Sequence, residues 1–276
     1  MKNFLKWTGI LLGGLICLTL LTGLALYSIG MKKLTRSYPN IQVEKVNIPR
    51  DADAISRGEH IATIWTCTKC HGDNLSGTLI ADDAFLGTIP ATNLTSGDGG
   101  IAGSYTEADW IRAIRHGVKP NGRVEIMMNN YSTMSEQDLG DLIAYLKQIP
   151  PVASDHPTIH FGAILPVLPT AGYLMPAAEQ INHDAPRPAD PVPGATIEYG
   201  SYLSVLCIEC HNSNLGRKLE KWDREEFIRA MQTGVLPDGK QIGSTMRKKT
   251  FSELNDTELT ALWLYYQNLY ALESQK

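Results

Sequence analysis

The pentapeptide Cys67–His71, with the sequence Cys-Thr-Lys-Cys-His, is the feature that most constrains what this chain can fold into. The same Cys-x-x-Cys-His pattern returns at Cys207–His211. Two thiols at this spacing can each bond to one vinyl group of a haem, and the adjacent histidine can bind the iron. The repeated motif therefore predicts two covalently attached haem groups. The attachment residues and histidine ligands are Cys67, Cys70, His71, Cys207, Cys210 and His211.

Other uses of paired cysteines account less well for the pattern. A structural zinc ion needs four ligands, and no second Cys-x-x-Cys pair lies near either motif. A thioredoxin-like redox pair has the same cysteine spacing, but here the whole pentapeptide occurs twice and each copy is followed by a similar sequence. The remaining cysteine, Cys17, lies in the apolar N-terminal segment. The formal net charge of −4 gives no indication of a nucleic-acid partner.

The N-terminal segment 7–29 contains no charged residue and is flanked by lysines on both sides. At about 1.5 Å per residue, a helix of this length can cross a hydrocarbon core about 30 Å thick. The sequence therefore predicts a transmembrane anchor, with its flanks, over residues 1–34. A cleaved signal peptide is the alternative, with the small residues Gly23 and Ala25 as its cleavage site. The apolar run continues beyond that pair, which favours an uncleaved anchor.

Helix start and stop signals are clear in the first half of the chain. Thr106 begins a helix with a capping-box pattern, and Gly117 ends it. Ser135 begins a further helix. The segment 75–104 is rich in glycine, threonine, aspartate and asparagine and predicts a long loop. We therefore expect helices at both ends of this half, with haem between them.

The second half repeats the first. The sequence Glu-Phe-Ile-Arg-Ala at 226–230 matches Asp-Trp-Ile-Arg-Ala at 109–113, which indicates a tandem duplication. The predicted fold is all-α. Its parts are the anchor at 1–34, a tether at 35–52, a first domain at 53–151, a proline-rich linker at 152–195 and a second domain at 196–276. We expect the linker to be partly stiff and to pack across both domains through Ile164, Leu165, Leu168 and Leu174.

The second axial ligand separates electron carriers from catalysts, because a haem with both faces occupied has no open site for a substrate. In the second copy the predicted ligand is Met246, eight residues before Leu254. The same count back from Met134 in the first copy ends one residue before Met127 and Met128. A one-residue deletion would place Met127 on the iron and a two-residue deletion Met128. Met127 is favoured, and Met134 itself is predicted to lie in the apolar core.

Several segments together resemble class I c-type cytochromes of the dihaem and trihaem kind. They are the N-terminal anchor, Arg57–His60 before the first motif, Asn93–Thr95, Gly99–Gly103, Arg115–Val118 and Pro150–Val152. This group includes the cytochrome subunits of membrane-bound alcohol and gluconate dehydrogenases. The resemblance implies two tandem class I cytochrome c domains after a transmembrane helix.

The resemblance also implies a function. A chain of this kind would relay single electrons, with a dehydrogenase as donor and an oxidase or another cytochrome as acceptor. In the group that it resembles, haem is attached outside the cytoplasmic membrane, which predicts domains on the periplasmic side. No catalytic residue is predicted. The alternative is a dihaem peroxidase-like enzyme or a haem sensor, either of which needs one iron with an open face.

Overall fold

The computed structural model describes residues 1–208, 211, 215, 219–243, 246 and 248–273. Cys210, one of the predicted haem-attachment residues, lies outside the described residues. Helices make up most of the regular structure, as the sequence predicts. A small three-stranded antiparallel sheet is present as well, which the all-α prediction does not include.

The elements are named here in chain order. The helices are α1 (Lys2–Leu34), α2 (Ala52–Ile64), α3 (Cys67–His71), α4 (Glu107–His116), α5 (Glu136–Leu146), α6 (Ile197–Leu203), α7 (Val205–Ile208), α8 (Arg224–Thr233), α9 (Lys248–Ser252) and α10 (Asp256–Glu273). The strands are β1 (Leu79–Asp83), β2 (Gly87–Pro90) and β3 (His160–Phe161). Two 3₁₀ turns lie at Leu165–Val167 and Ala177–Glu179.

The chain divides into two compact units, each built from separate stretches of sequence. The first unit comprises residues 1–46, 74–134 and 149–186. The second comprises residues 47–73, 135–148 and 187–276.

In the first unit, α1 is long and apolar enough to cross a membrane, and its apolar side chains are exposed. Its last residue, Leu34, is buried in a cluster with Ile89 and Leu165. The linker therefore contributes to the core of this unit, and Leu165 is fully buried there. Of the four linker residues expected to pack, Leu165 and Leu168 contribute to this cluster, whereas Ile164 and Leu174 are exposed.

The sheet also belongs to the first unit and includes part of the segment predicted to be a loop. Strands β1 and β2 form a hairpin, whose turn is closed by the Asp83 carboxylate accepting hydrogen bonds from the backbone of Phe85 and Leu86. Strand β3, from the linker, pairs with β2 through Phe161 opposite Gly87. The sequence did not reveal the sheet because β3 is remote in the chain and short.

Helix α4 has the ends that its sequence predicts. Thr106 Oγ1 accepts from the backbone N–H of Asp109, and the Asp109 side chain accepts from the backbone N–H of Thr106. Gly117 ends the helix with φ 64°, in the left-handed region that glycine adopts readily. Helix α8 has the same pair of ends, with a capping box at Asp223 and a left-handed Gly234. The two halves of the chain thus repeat the same local structure.

The second unit contains two pairs of crossing helices. Helix α2 crosses α5 at Gly58, where a Cβ would lie 2.1 Å from the carbonyl oxygen of Asp141. Helix α6 crosses α10 at Gly200, where a Cβ would lie 2.0 Å from the carbonyl oxygen of Ala261. Only glycine permits backbones to approach this closely. The repeat seen in the sequence therefore extends to the way each copy packs its first helix on its last.

Candidate haem-binding sites

The first motif forms the five-residue helix α3, immediately after α2. Thr66 precedes it in the left-handed conformation, with φ 66°, and turns the chain from one helix into the next. Cys67, Cys70 and His71 occupy positions i, i+3 and i+4, so they lie on one face of the helix. Both thiols and the imidazole are therefore presented together, which is the arrangement that covalent haem attachment needs.

The second motif has the same local geometry where the structure describes it. Cys207 is buried in α7, and the backbone N–H of His211 donates to the carbonyl oxygen of Cys207 at 2.8 Å. This bond spans one helical turn, so His211 follows Cys207 at the same position as His71 follows Cys67.

The surroundings of Cys67 do not favour thiol redox chemistry. Burial of the sulfur raises the pKa of the Cys67 thiol to about 12, although the residue as a whole is partly exposed. A thioredoxin-like cysteine reacts as a thiolate and needs a pKa near or below neutrality. In the part of the chain that the structure describes, no three His, Cys, Asp or Glu side chains form a metal-binding group.

Helix α4 carries buried N–H groups of the kind that would donate hydrogen bonds to a haem propionate. Trp110 and Arg115 are 2% and 4% exposed. Among the described residues, none accepts a hydrogen bond from Trp110 Nε1 or Arg115 Nε. Buried N–H groups without an acceptor are costly, and an anionic carboxylate is a suitable acceptor for either of them. The chemistry of these donors fits a haem cofactor, and the sequence-based prediction did not include them.

Other groups hold the Arg115 guanidinium in place. Its Nη1 donates to the Glu44 carboxylate at 2.8 Å, and its Nη2 donates to the carbonyl oxygen of Met134 at 3.0 Å. Next to it, Nδ1 of buried His116 lies 3.1 Å from Nδ1 of His183. Burial lowers the pKa of His116, although Glu44 opposes that shift. No local sequence signal marks Glu44, because its partner Arg115 is distant in the chain. His116 lies in the Arg115–Val118 segment, but that segment does not reveal its contact with His183.

The methionines predicted to be axial ligands are all partly buried. Met127 packs against the cluster of Leu34, Ile89 and Leu165 in the first unit, and Met128 follows it in an irregular segment. In the second unit, the backbone N–H of Met246 donates to the carbonyl oxygen of Gly243. Met134 is 1% exposed and lies in the core, as predicted. Axial ligation by Met127 or Met128 and by Met246 stays a prediction.

Two equivalent hydrogen bonds connect the helix pairs of the second unit. His60 on α2 donates to the Glu258 carboxylate on α10 at 2.8 Å. Tyr202 on α6 donates to the Asp138 carboxylate on α5 at 2.5 Å. In the sequence repeat, His60 corresponds to Tyr202 and Asp138 to Glu258. The two contacts are thus reciprocal, as the halves of a two-fold symmetric interface would be.

This pairing makes stability depend on pH. The hydrogen bond with Glu258 raises the pKa of His60 above its usual 6.5, while burial opposes the shift. A raised pKa means that the contribution is fully present below pH 6.5 and is lost as pH rises through the folded-state value. We expect His60→Gln to cost about 1 kcal/mol of unfolding free energy at about pH 6 and less at about pH 8.5. Chemical unfolding of the haem-loaded protein at both pH values measures this difference.

Tyr202→Phe is the matched control for that experiment. It breaks the equivalent bond with Asp138, but burial raises the pKa of Tyr202, so its hydroxyl stays neutral across the range. Its cost should change less with pH than the cost of His60→Gln. An effect of His60→Gln that is equal at both pH values would contradict a charged His60–Glu258 pair.

Residues 55–150 match the family model for Cytochrome c. The matched region is similar to a Cytochrome c domain, and it contains the first motif together with Met127 and Met128. The family carries out electron transfer, and it implies haem c as the cofactor. The resemblance predicted from the sequence is confirmed for this region.

The particular relatives are cytochrome subunits of dehydrogenases. The chain is 28% identical over 112 residues to the fructose dehydrogenase cytochrome subunit of Gluconobacter japonicus, which covers 38% of this chain and 23% of that protein. It is 33% identical over 107 residues to the gluconate 2-dehydrogenase cytochrome c subunit of Pantoea cypripedii, covering 36% and 24%. It is 31% identical over 113 residues to the cytochrome c subunit of the quinone alcohol dehydrogenase of Gluconacetobacter polyoxogenes, covering 37% and 24%. The chain thus spans about a quarter of the length of these relatives.

Proposed function

We propose that the chain is a membrane-anchored dihaem c-type cytochrome that relays single electrons between redox partners. The observation that carries the proposal is the repeated Cys-x-x-Cys-His turn, in which Cys67 and His71 have the same helical relation as Cys207 and His211. When bound, haem c supplies reversible one-electron chemistry at iron. The chain's own part is to attach, orient and enclose it.

The proposal places one class I cytochrome c domain at 53–151 and a second at 196–276. Two features support a second domain of the same kind as the first. The helix crossing at Gly58 is repeated at Gly200, with almost the same close approach. The capping box and left-handed glycine of α4 are repeated in α8. Each domain would hold one haem.

The residues proposed for each iron leave no open face. His71 with Met127 or Met128 would bind the first iron, and His211 with Met246 the second. A thioether ligand favours ferrous iron and raises the reduction potential, which suits a carrier. With both axial positions occupied by protein, the sites exchange electrons with partners and bind no substrate. The chain is accordingly proposed to be an electron-transfer protein and not itself an enzyme.

Location and partners follow from the anchor and the relatives. Helix α1 would span the cytoplasmic membrane once, with the haem domains on the periplasmic side. The relatives are named as cytochrome subunits of fructose, gluconate and alcohol dehydrogenases. A dehydrogenase is therefore the proposed electron donor, and an oxidase or another cytochrome the acceptor. The same role would make the chain a component of a respiratory chain.

Visible spectra of the purified protein, with and without carbon monoxide, test the proposal. Ferric haem with a methionine ligand has a weak absorption band at the red edge of the visible spectrum. We expect this band at an intensity for two haems, and a reduced spectrum that carbon monoxide leaves unchanged. If one haem lacks the band and binds carbon monoxide, the peroxidase or sensor alternative replaces the carrier proposal.

The same band identifies the ligand in the first domain. We expect Met127→Leu to remove about half of its intensity, since one of two thioether ligands is lost. Met128→Leu should leave the band unchanged, and it serves as the matched control because the two methionines are adjacent. The reverse result would assign Met128 as the ligand. Loss of intensity in neither variant would contradict methionine ligation in this domain.

A further inference from the structure

The linker contains an unusual stretch, from Phe161 to Ala178, without a single charged side chain. A solvated linker between domains is ordinarily polar or charged. This stretch is interrupted by prolines and forms only short 3₁₀ turns, so it is not a membrane-spanning helix. Its side chains favour apolar surroundings. Its irregular backbone, however, needs surroundings in which its polar groups can still form hydrogen bonds.

The stretch lies directly against the C-terminal end of α1, within the first unit. Thr170 Oγ1 donates to the carbonyl oxygen of Leu26 at 3.0 Å. A Cβ at Gly30 would lie 1.5 Å from the carbonyl oxygen of Pro166, so the contact requires glycine at this position. These contacts place Pro166 and Thr170 of the linker beside the last turns of the apolar span of α1.

The depth of this position can be estimated from the helix rise. Leu26 lies six residues before Lys32, the first charged residue after the apolar span, or about 9 Å along the axis. The headgroup region on each side of a bilayer is roughly 5–7 Å thick. A helix that crosses the membrane through residues 7–29 therefore holds this stretch of linker at the boundary between headgroups and hydrocarbon.

The side chains exposed there are large and apolar. Tyr173 is 68% exposed, and its neighbour Leu174 is also exposed. Ile164 is exposed as well, and its backbone N–H donates to the carbonyl oxygen of Phe85 at the tip of the β1–β2 hairpin. Phe85 is 64% exposed. Tyrosine and tryptophan side chains are characteristic of the membrane–water interface.

We propose that Phe85, Ile164, Tyr173 and Leu174 form an interfacial collar that inserts at the boundary between headgroups and hydrocarbon in the lipid leaflet around α1. The partner is the lipid surface itself. The collar continues the exposed apolar surface of α1, and irregular backbone is compatible with the hydrated interface but not with the hydrocarbon core. It would hold the first unit at a constant height above the membrane. This inference rests on the proposed role of α1 as a membrane anchor.

Site-directed spin labelling of the full-length, haem-loaded chain in lipid nanodiscs tests the collar. In a Cys17→Ser background, Tyr173→Cys and Phe85→Cys each provide one labelling site on an exposed side chain. Nanodiscs of phosphatidylcholine with phosphatidylglycerol provide the bilayer. Collision of the label with oxygen, which concentrates in lipid, is compared with collision with a water-soluble nickel chelate. We expect oxygen to dominate at both sites.

Two reference sites make the outcomes distinguishable. Leu18→Cys labels the middle of α1, and Ala108→Cys labels an exposed position between Glu107 and Asp109 on α4. If the label at Leu18→Cys is exposed to lipid but the labels at Tyr173→Cys and Phe85→Cys are exposed to water, the collar is overturned and the anchor stays intact. Water exposure at Leu18→Cys would overturn the anchor itself. Protection of the collar labels from both reagents would indicate a protein contact and would also overturn the proposal.

Discussion

Chains with Cys67→Ala and Cys70→Ala together are expected to bind one equivalent of covalent haem instead of two. In the proposed dihaem protein, each haem would be attached through thioether bonds from the thiols of one motif, so removal of both thiols would leave no covalent link in that copy. The other copy is independent in sequence and should keep its haem. Haem that stays with the protein after acid–acetone extraction, measured against protein mass, gives the stoichiometry.

The matched variant is Cys207→Ala with Cys210→Ala, for which we also expect one equivalent. The four cysteine changes combined should leave none, and Cys17→Ala should leave two. A second-motif variant that still retained the full haem content of the unaltered chain would show that Cys207 and Cys210 do not attach a haem. The dihaem proposal would then be replaced by a one-haem protein.

Gly58→Ala is expected to destabilise the haem-loaded chain by about 2 kcal/mol. The new Cβ would lie 2.1 Å from the carbonyl oxygen of Asp141 and 2.7 Å from Cβ of Tyr145, so α2 and α5 must separate. Overpacking of this severity costs about 3 kcal/mol, and the better helix propensity of alanine returns about 1. Guanidinium unfolding followed by circular dichroism measures the change.

Two further glycines serve as comparisons. Gly200→Ala should have a similar effect, because a Cβ there would lie 2.0 Å from the carbonyl oxygen of Ala261 on α10. Gly103→Ala should be nearly neutral, since no atom lies within 4 Å of the new Cβ. A Gly58→Ala protein as stable as Gly103→Ala would mean that the helix crossing adjusts without strain.

Local features were predicted well because they depend on residues close together in the chain. The capping box at Thr106, the left-handed Gly117 and the cap at Ser135 all appear where the sequence places them. The burial of Met134 was predicted from its place in the apolar pattern. Each of these involves a hydrogen bond or a periodicity within one or two helical turns.

The parts that the sequence did not reveal depend on distant partners. Strand β3 pairs with β2 from another part of the chain, and its two residues carry no strand pattern of their own. The donors Trp110 and Arg115 were not recognised because an apolar helix face and a family motif already explained them. Their unsatisfied N–H groups become visible only when the burial of each atom is known.

By itself, the sequence determined the two Cys-x-x-Cys-His motifs, the apolar span and the helix ends, because spacing along the chain is sufficient to define each of them. Only the tertiary structure decided that His60 contacts Glu258, 198 residues away, and that the linker lies against α1. Such contacts are set by the packing of whole helices, in which residues with no sequence relation become neighbours. For the same reason, the close approaches at Gly58 and Gly200 could be recognised only after the helices were placed.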